Sequence, residues 1–311
     1  MPGQNPRSAF PGGKGLVMKI LCAIDGSRQS QWALNWLSHF CSPQDDALWL
    51  VHAVDMTQYK NLSRMDRNAR SRLVKVLDFS LEGAAQLLEW AELKAASSWG
   101  QVRARLLRGS PAEVIARLAG REKIDLLVVG SRGVTEFQPM LLGSVSRKLL
   151  AQAPCPVLVV KKPADGLTRV VLGADGSMES WDAAAMLKAW LSESRPQVTV
   201  ASIVPPLPLE SLRVPARAVA VGDQVEGALR REAQKLAARV AGTLRSAGFP
   251  AKGIVLSGPP GAELVKLARC ERAGLIVVGS RSGRRPHEYF LGSVADTVVK
   301  HAPCSVLVYR R

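Results

Sequence analysis

Three short segments carry the residue types and spacing best suited to chemistry. Asp25-Gly26-Ser27 closes the apolar run ILCAI, and Gly130-Ser131-Arg132-Gly133 closes the apolar run DLLVV. Nine residues after Gly133, Gly143-Ser144 opens the helical segment LLGSVSRKLLA. Glycine lets a backbone approach a ligand closely or take a positive φ. A helix start offers unpaired N–H groups and the positive end of its dipole, which together make a phosphate cradle, and Ser144 and Ser146 add hydroxyl donors. Each piece also has a structural reading: Gly130 as a strand-end turn, Gly143-Ser144 as an N-cap, Asp25 as the N-cap of the helix that follows. Arg132 faces phosphate on the first reading and solvent on the second.

The elements that must position these segments are legible because the chain repeats itself. ILCAIDGS at 20–27 matches VVLGADGS at 170–177, and DLLVVGSR at 125–132 matches GLIVVGSR at 274–281. LLGSVSRKLLAQAPCPVLVV likewise matches FLGSVADTVVKHAPCSVLVY. The offset is 150 residues from Asp25 to Asp175 and 149 from Gly130 to Gly279, Gly143 to Gly292 and Cys155 to Cys304. A repeat of that length fixes the architecture as two like domains. Each half alternates short Val/Ile/Leu-rich runs with longer stretches of helical period, the pattern of βαβ units around a parallel sheet. Strands are expected near 17–24, 47–54, 101–107, 125–130 and 156–161, with the longest helix near 70–98. In the second half they are expected near 169–174, 198–204, 251–257, 274–279 and 304–309. Residues 1–16, rich in Pro and Gly, read as a flexible tail, and 161–168 as a linker. In open α/β sheets ligands bind beyond the carboxyl ends of the strands, where strand order reverses. The glycine-rich segments stand at such ends.

Composition narrows the functions available. Hydrophobic residues make up 47% of the 311 and charged residues 22%, the balance of a chain that buries a core. No run reaches the roughly 18 apolar residues of a membrane span, and the first residues lack the apolar core of a secretion signal, so a cytoplasmic protein is expected. The net charge of +16 divides evenly, with 22 basic and 14 acidic residues in 1–165 and 20 and 12 in 166–311. Without a basic tail or base-stacking aromatics it reads as a solvated surface more than a nucleic-acid face. No GxSxG, HExxH or GxGxxG motif is present, and His39, His52, His287 and His301 show no ligand spacing. Neither a catalytic set nor a metal site is therefore expected. The five cysteines form no CxxC pair and read as reduced and structural.

The combination GxxG, nine residues, then GS resembles the ATP-binding signature of the universal stress protein family and matches it without a gap. The strand pieces ILCAIDGS and DLLVVGSRG and the tail HAPCSVLV resemble that family too, and the resemblance runs from Val17 onward in two copies. It implies two tandem Rossmann-like domains, 17–161 and 169–311, each a five-stranded parallel sheet of order 3-2-1-4-5 with helices on both faces. It implies ATP, with or without magnesium, across the ends of strands 1 and 4. Adenine contacts carry over to Ala23, Ile24, Asp25 and Ala53. Ribose and phosphate contacts carry over to Val129, Gly130, Gly133, Gly143, Ser144, Val145 and Ser146.

A weaker second site is expected at Asp175, Val278, Gly279, Gly292, Ser293 and Val294. There Ser282 stands in the place of Gly133, Ala295 in the place of Ser146, and the loop Arg284-Arg285-Pro286-His287 adds charge. The function implied is a nucleotide-dependent stress-response regulator, with at most slow ATP hydrolysis, in which a protein partner reads the loop 134–142. An ATP-independent scaffold is the alternative. The last strands, CPVLVV and CSVLVY, are expected to pair the two domains as an intramolecular pseudo-dimer, or two chains as a homodimer.

Overall fold

The computed structural model describes residues 17–59, 66–133, 142–163, 166–191, 193–207, 216–280 and 291–310. The expectations placed on the tail 1–16, on loop residues 134–141 and on Ser282 to His287 lie outside these. The chain divides into two units, one spanning Val17–Ala164 and the other Asp165–Arg311.

The first unit runs β1 (Lys19–Ala23), α1 (Arg28–Leu37), β2 (Ala47–Asp55), a short turn of 3-10 helix, then α2 (Arg67–Ala96) and β3 (Gln101–Gly109). It continues with α3 (Pro111–Arg121), β4 (Leu126–Gly130), α4 (Ser144–Gln152) and β5 (Val157–Val160). Every described strand pairing is parallel, β3 with β2, β2 with β1, β1 with β4 and β4 with β5. β1 therefore sits where the chain's direction of travel across the sheet reverses, and its two neighbours' connections diverge above it. Strands β4 and β5 read LLVVG and VLVV because both faces are covered, and every residue of each is buried. α1 packs on β4 and β5 and α2 on β2 and β3, while α3 packs on α4.

The second unit repeats this with β6 (Arg169–Gly173), α5 (Met178–Trp190), β7 (Gln197–Val204), α6 (Ala216–Ser246) and β8 (Ala251–Ser257). α7 (Pro260–Cys270), β9 (Leu275–Gly279), α8 (Ser293–His301) and β10 (Ser305–Tyr309) complete it. Its pairings are again parallel, in the order β8, β7, β6, β9, β10. Both units thus have the strand order 3-2-1-4-5. Among the described residues no helix is long and apolar enough to cross a membrane.

Pro111 and Pro260 begin α3 and α7 at positions where the missing N–H costs nothing. The helix start after β1 follows from its turn. Gly26 adopts φ +83°, the N–H of Ser27 donates to Asp25 Oδ1 at 3.0 Å, and the N–H of Ser30 donates to Ser27 Oγ at 3.1 Å. The N-cap of α1 is therefore Ser27 and not Asp25. The second unit copies the turn with Gly176 at φ +82° and Ser177 as cap.

Cys22, Cys41, Cys155 and Cys304 are buried and Cys270 is exposed. Burial pushes the Cys22 thiol up to about 12. Titration of the native protein with a thiol-specific chromogenic disulfide should therefore release one equivalent quickly, with all five appearing only after denaturation. More than one fast thiol would contradict the packing described.

Candidate functional site

The carboxyl ends of β1, β2 and β4 and the starts of α3 and α4 enclose a cavity of about 270 Å³. All eleven first-unit residues named from the sequence border it. Ala23, Ile24 and Asp25 lie at the end of β1, Ala53 near the end of β2, and Val129, Gly130 and Gly133 at and after the end of β4. Gly143, Ser144, Val145 and Ser146 form the start of α4. Sequence reasoning missed three further lining residues, His52, Pro111 and Ile115, and left Arg132 open; Arg132 lines the cavity too. Ile115 could have been found from the apolar face of α3, since the amphipathic stripe of a helix packed over a sheet end must border whatever lies there.

No side chain caps α4, whose N-cap is Gly143. Its first intrahelical bond runs from the N–H of Arg147 to the Gly143 carbonyl. The N–H groups of Val145 and Ser146 thus have no partner within the helix, and the dipole adds partial positive charge there. The helix start is tied to the strand end through the N–H of Gly143, which donates to the Ser131 carbonyl at 2.8 Å.

Of the two roles the sequence offers these glycines, positive φ is absent: neither Gly130 nor Gly133 adopts it. A Cβ on Gly130 would stand 2.9 Å from Gln29 Cβ and 3.1 Å from the backbone of Gln29 and Ser30, so this glycine lets α1 approach β4. A Cβ on Gly133 would stand 2.9 Å from Asp25 Oδ2, so Gly133 lets the loop close on the carboxylate at the end of β1. Ser27 Oγ donates to the Arg132 carbonyl at 3.3 Å and holds the same loop. The expected hydroxyl donor Ser146 is buried and donates to the Gly130 carbonyl at 2.6 Å. A hydroxyl has one proton, so in this arrangement Ser146 offers a ligand its backbone N–H and fixes the strand end with its side chain.

His52 has its own role. Its Nδ1 lies 2.7 Å from the Ile24 carbonyl oxygen. A carbonyl only accepts, so Nδ1 carries the proton and the ring holds the carbonyl at the point where β1 leaves the sheet.

The second unit keeps the frame and changes the charge. Val278 and Gly279 end β9, while Gly292, Ser293 and Val294 start α8, which is likewise uncapped by a side chain. The N–H of Gly292 donates to the Ser280 carbonyl at 2.8 Å, joining these two parts as in the first unit. Asp175 follows β6 and borders a separate groove on the α5–α6 side. Ala295 cannot make the bond that Ser146 makes. Glu179, in the position of Gln29, accepts from Ser280 Oγ at 3.0 Å. Asp296, paired with Lys300 at 2.6 Å, occupies the first turn of α8, where α4 has Arg147. A carboxylate at a helix start already satisfies the dipole and repels a second anion. Among the described residues no group of three or more His, Cys, Asp or Glu is placed to hold a metal ion.

Comparison with known proteins agrees with the tandem reading. The model of the universal stress protein family matches twice, at residues 17–161 and 166–310. A universal stress protein of Methanocaldococcus jannaschii is 31% identical over 157 residues, which is 50% of this chain and 89% of that protein. A putative universal stress protein of Staphylococcus aureus is 31% identical over 150 residues, 47% of this chain and 87% of the relative. The crystal structure of a universal stress protein from Archaeoglobus fulgidus superposes on both halves with a TM-score of 0.66 at 19% identity, covering 94% of this chain and 98% of the other.

Proposed function

The chain belongs to the universal stress protein family, in two tandem copies, and from that premise we propose that it is a stress-response regulator that holds ATP in its first copy. The observation that carries this reading is the uncapped start of α4 opening on a cavity that Arg132 also lines. The backbone N–H groups of Val145 and Ser146 without a helix partner, the dipole and a nearby guanidinium fit a phosphate chain. Apolar lining from Ile24, Ala53, Ile115 and Val129 fits a base, and the Asp25 carboxylate fits a donor on the nucleoside. In this account Ser144, Val145 and Ser146 hold phosphate through backbone N–H groups, Asp25 orients the nucleoside, and a partner protein reads the bound state.

The second copy, with Asp296, Ala295 and Glu179 in place of Arg147, Ser146 and Gln29, is proposed as the weaker site. An anion there would meet a helix start that already carries a carboxylate.

Titration calorimetry tests the reading. ATP added to nucleotide-free protein should bind with about one equivalent per chain, and adenosine should bind at least ~10-fold more weakly because it lacks the groups that face α4. Equal affinity for adenosine and ATP would remove the phosphate role of α4. No binding of either would leave an ATP-independent scaffold.

A further inference from the structure

The second unit carries a groove of about 830 Å³ on its α5–α6 side, bordered by the ends of β6 and β7. Several of its lining residues differ from their first-copy counterparts, among them Trp181 for Gln31, Ile203 for Ala53 and Pro205 for Asp55. At the position of His52, whose ring in the first unit borders the nucleotide cavity and bonds the Ile24 carbonyl, the second copy has the smaller Ser202. Alternation along β7 turns Ser202 toward α6, because Thr199, on the opposite face, bonds Glu271 at the end of α7. Ser202 borders the groove and is only 5% exposed, and among the described residues its hydroxyl has no hydrogen-bond partner. A buried hydroxyl without a partner is costly unless something supplies one. The groove's wall also holds an exposed cation. The Arg239 guanidinium lies over the Trp181 ring at 5.4 Å, and among the described residues no carboxylate is within ion-pair distance of it. Between these polar points stand Val204, Leu236 and Leu229, the last 42% exposed despite its size.

We propose that this groove is a binding site for a small organic acid with an apolar body, distinct from the first unit's nucleotide cavity. The acid group pairs with Arg239, the body lies against Trp181 and the leucines, and a polar atom reaches the Ser202 hydroxyl. Trp181 fixes the guanidinium plane so that its N–H edge stays available to a carboxylate or sulfonate. The proposal does not depend on ATP binding in the first unit.

The full chain is titrated with 8-anilinonaphthalene-1-sulfonate, an aromatic anion whose emission rises in apolar surroundings. One saturable site is expected. Ser202→His, which restores the first copy's residue and fills the corner, should weaken it about 10-fold or more. Arg239→Gln, an exposed substitution, should weaken it about 3-fold or more, and the neutral dye N-phenyl-1-naphthylamine should be indifferent to that change. Saturating ATP should not displace the anion. Unchanged affinity in a folded Ser202→His variant would overturn the proposal. So would unchanged affinity in Arg239→Gln, which decides the matter if Ser202→His melts early. Displacement of the dye by ATP would assign it to a nucleotide site, in the first unit's cavity or at the second copy's weaker site beside Asp175, and would also overturn the proposal.

Discussion

Combining Gly133→Ala with Ser146→Ala should lower ATP affinity by at least ~30-fold, which corresponds to about 2 kcal/mol. Each change acts on a different support of the same cavity. A Cβ on Gly133 would sit 2.9 Å from Asp25 Oδ2, closer than real contacts allow, so either the loop or the carboxylate must move. Removing the Ser146 hydroxyl leaves the Gly130 carbonyl without its 2.6 Å donor and frees the strand end that α4 is tied to. Losing the buried Ser146 bond alone costs about 1–3 kcal/mol. The matched second-copy change, Ala295→Ser, restores a hydroxyl but not the cation, and alone should leave a weak site weak. Equilibrium dialysis of the variants against the parent, with melting curves as a check on folding, reads the effect. Parent-like affinity in the double variant would show that neither support matters to the ligand.

Gly253→Ala should destabilise the second unit by about 3 kcal/mol, whereas Gly83→Ala should stabilise the first by about 0.5–1 kcal/mol. Gly253 lies in β8, and a Cβ there would stand 2.6 Å from both the carbonyl carbon and the carbonyl oxygen of Ala237 in α6. The obstacle is backbone, so a 31-residue helix must shift against its sheet to make room. Gly83 sits in α2 with nothing within 4 Å of a Cβ, so alanine there only restricts the unfolded chain and favours helix. For a unit of this size the first change should lower the melting midpoint by about 6–12 °C and the second raise it by a few degrees. Equal effects of the two substitutions in differential scanning calorimetry would contradict the close approach of α6 to β8.

Strand order and the members of the cavity could be read from the sequence because both follow from pattern. The 149–150-residue repeat, the apolar runs and the glycines at their ends are one-dimensional signals with a fixed spatial meaning. What each member does was not legible. The spacing that marks Ser146 as a donor does not say whether its proton points to a ligand or to the Gly130 carbonyl; the neighbouring strand end decides that. Gly130 reads as a phosphate-loop glycine, yet the contact that requires it is with α1, about a hundred residues away in the chain. Asp25 reads as a helix cap, and the positive φ of Gly26 passes that role to Ser27. The exchange of His52 for Ser202 is visible once the repeats are aligned, but its consequence depends on what α6 leaves uncovered. Arg147 against Asp296 is also visible in that alignment, and gains meaning only once both are seen in the first turn of an uncapped helix.

The most direct test of the central claim is the nucleotide content of the protein as purified, released by denaturation and identified by chromatography. About one ATP per chain, lost in the Gly133→Ala Ser146→Ala variant, is the predicted result. Protein that emerges empty and also fails to bind added ATP would contradict the account and leave the first cavity without the ligand assigned to it.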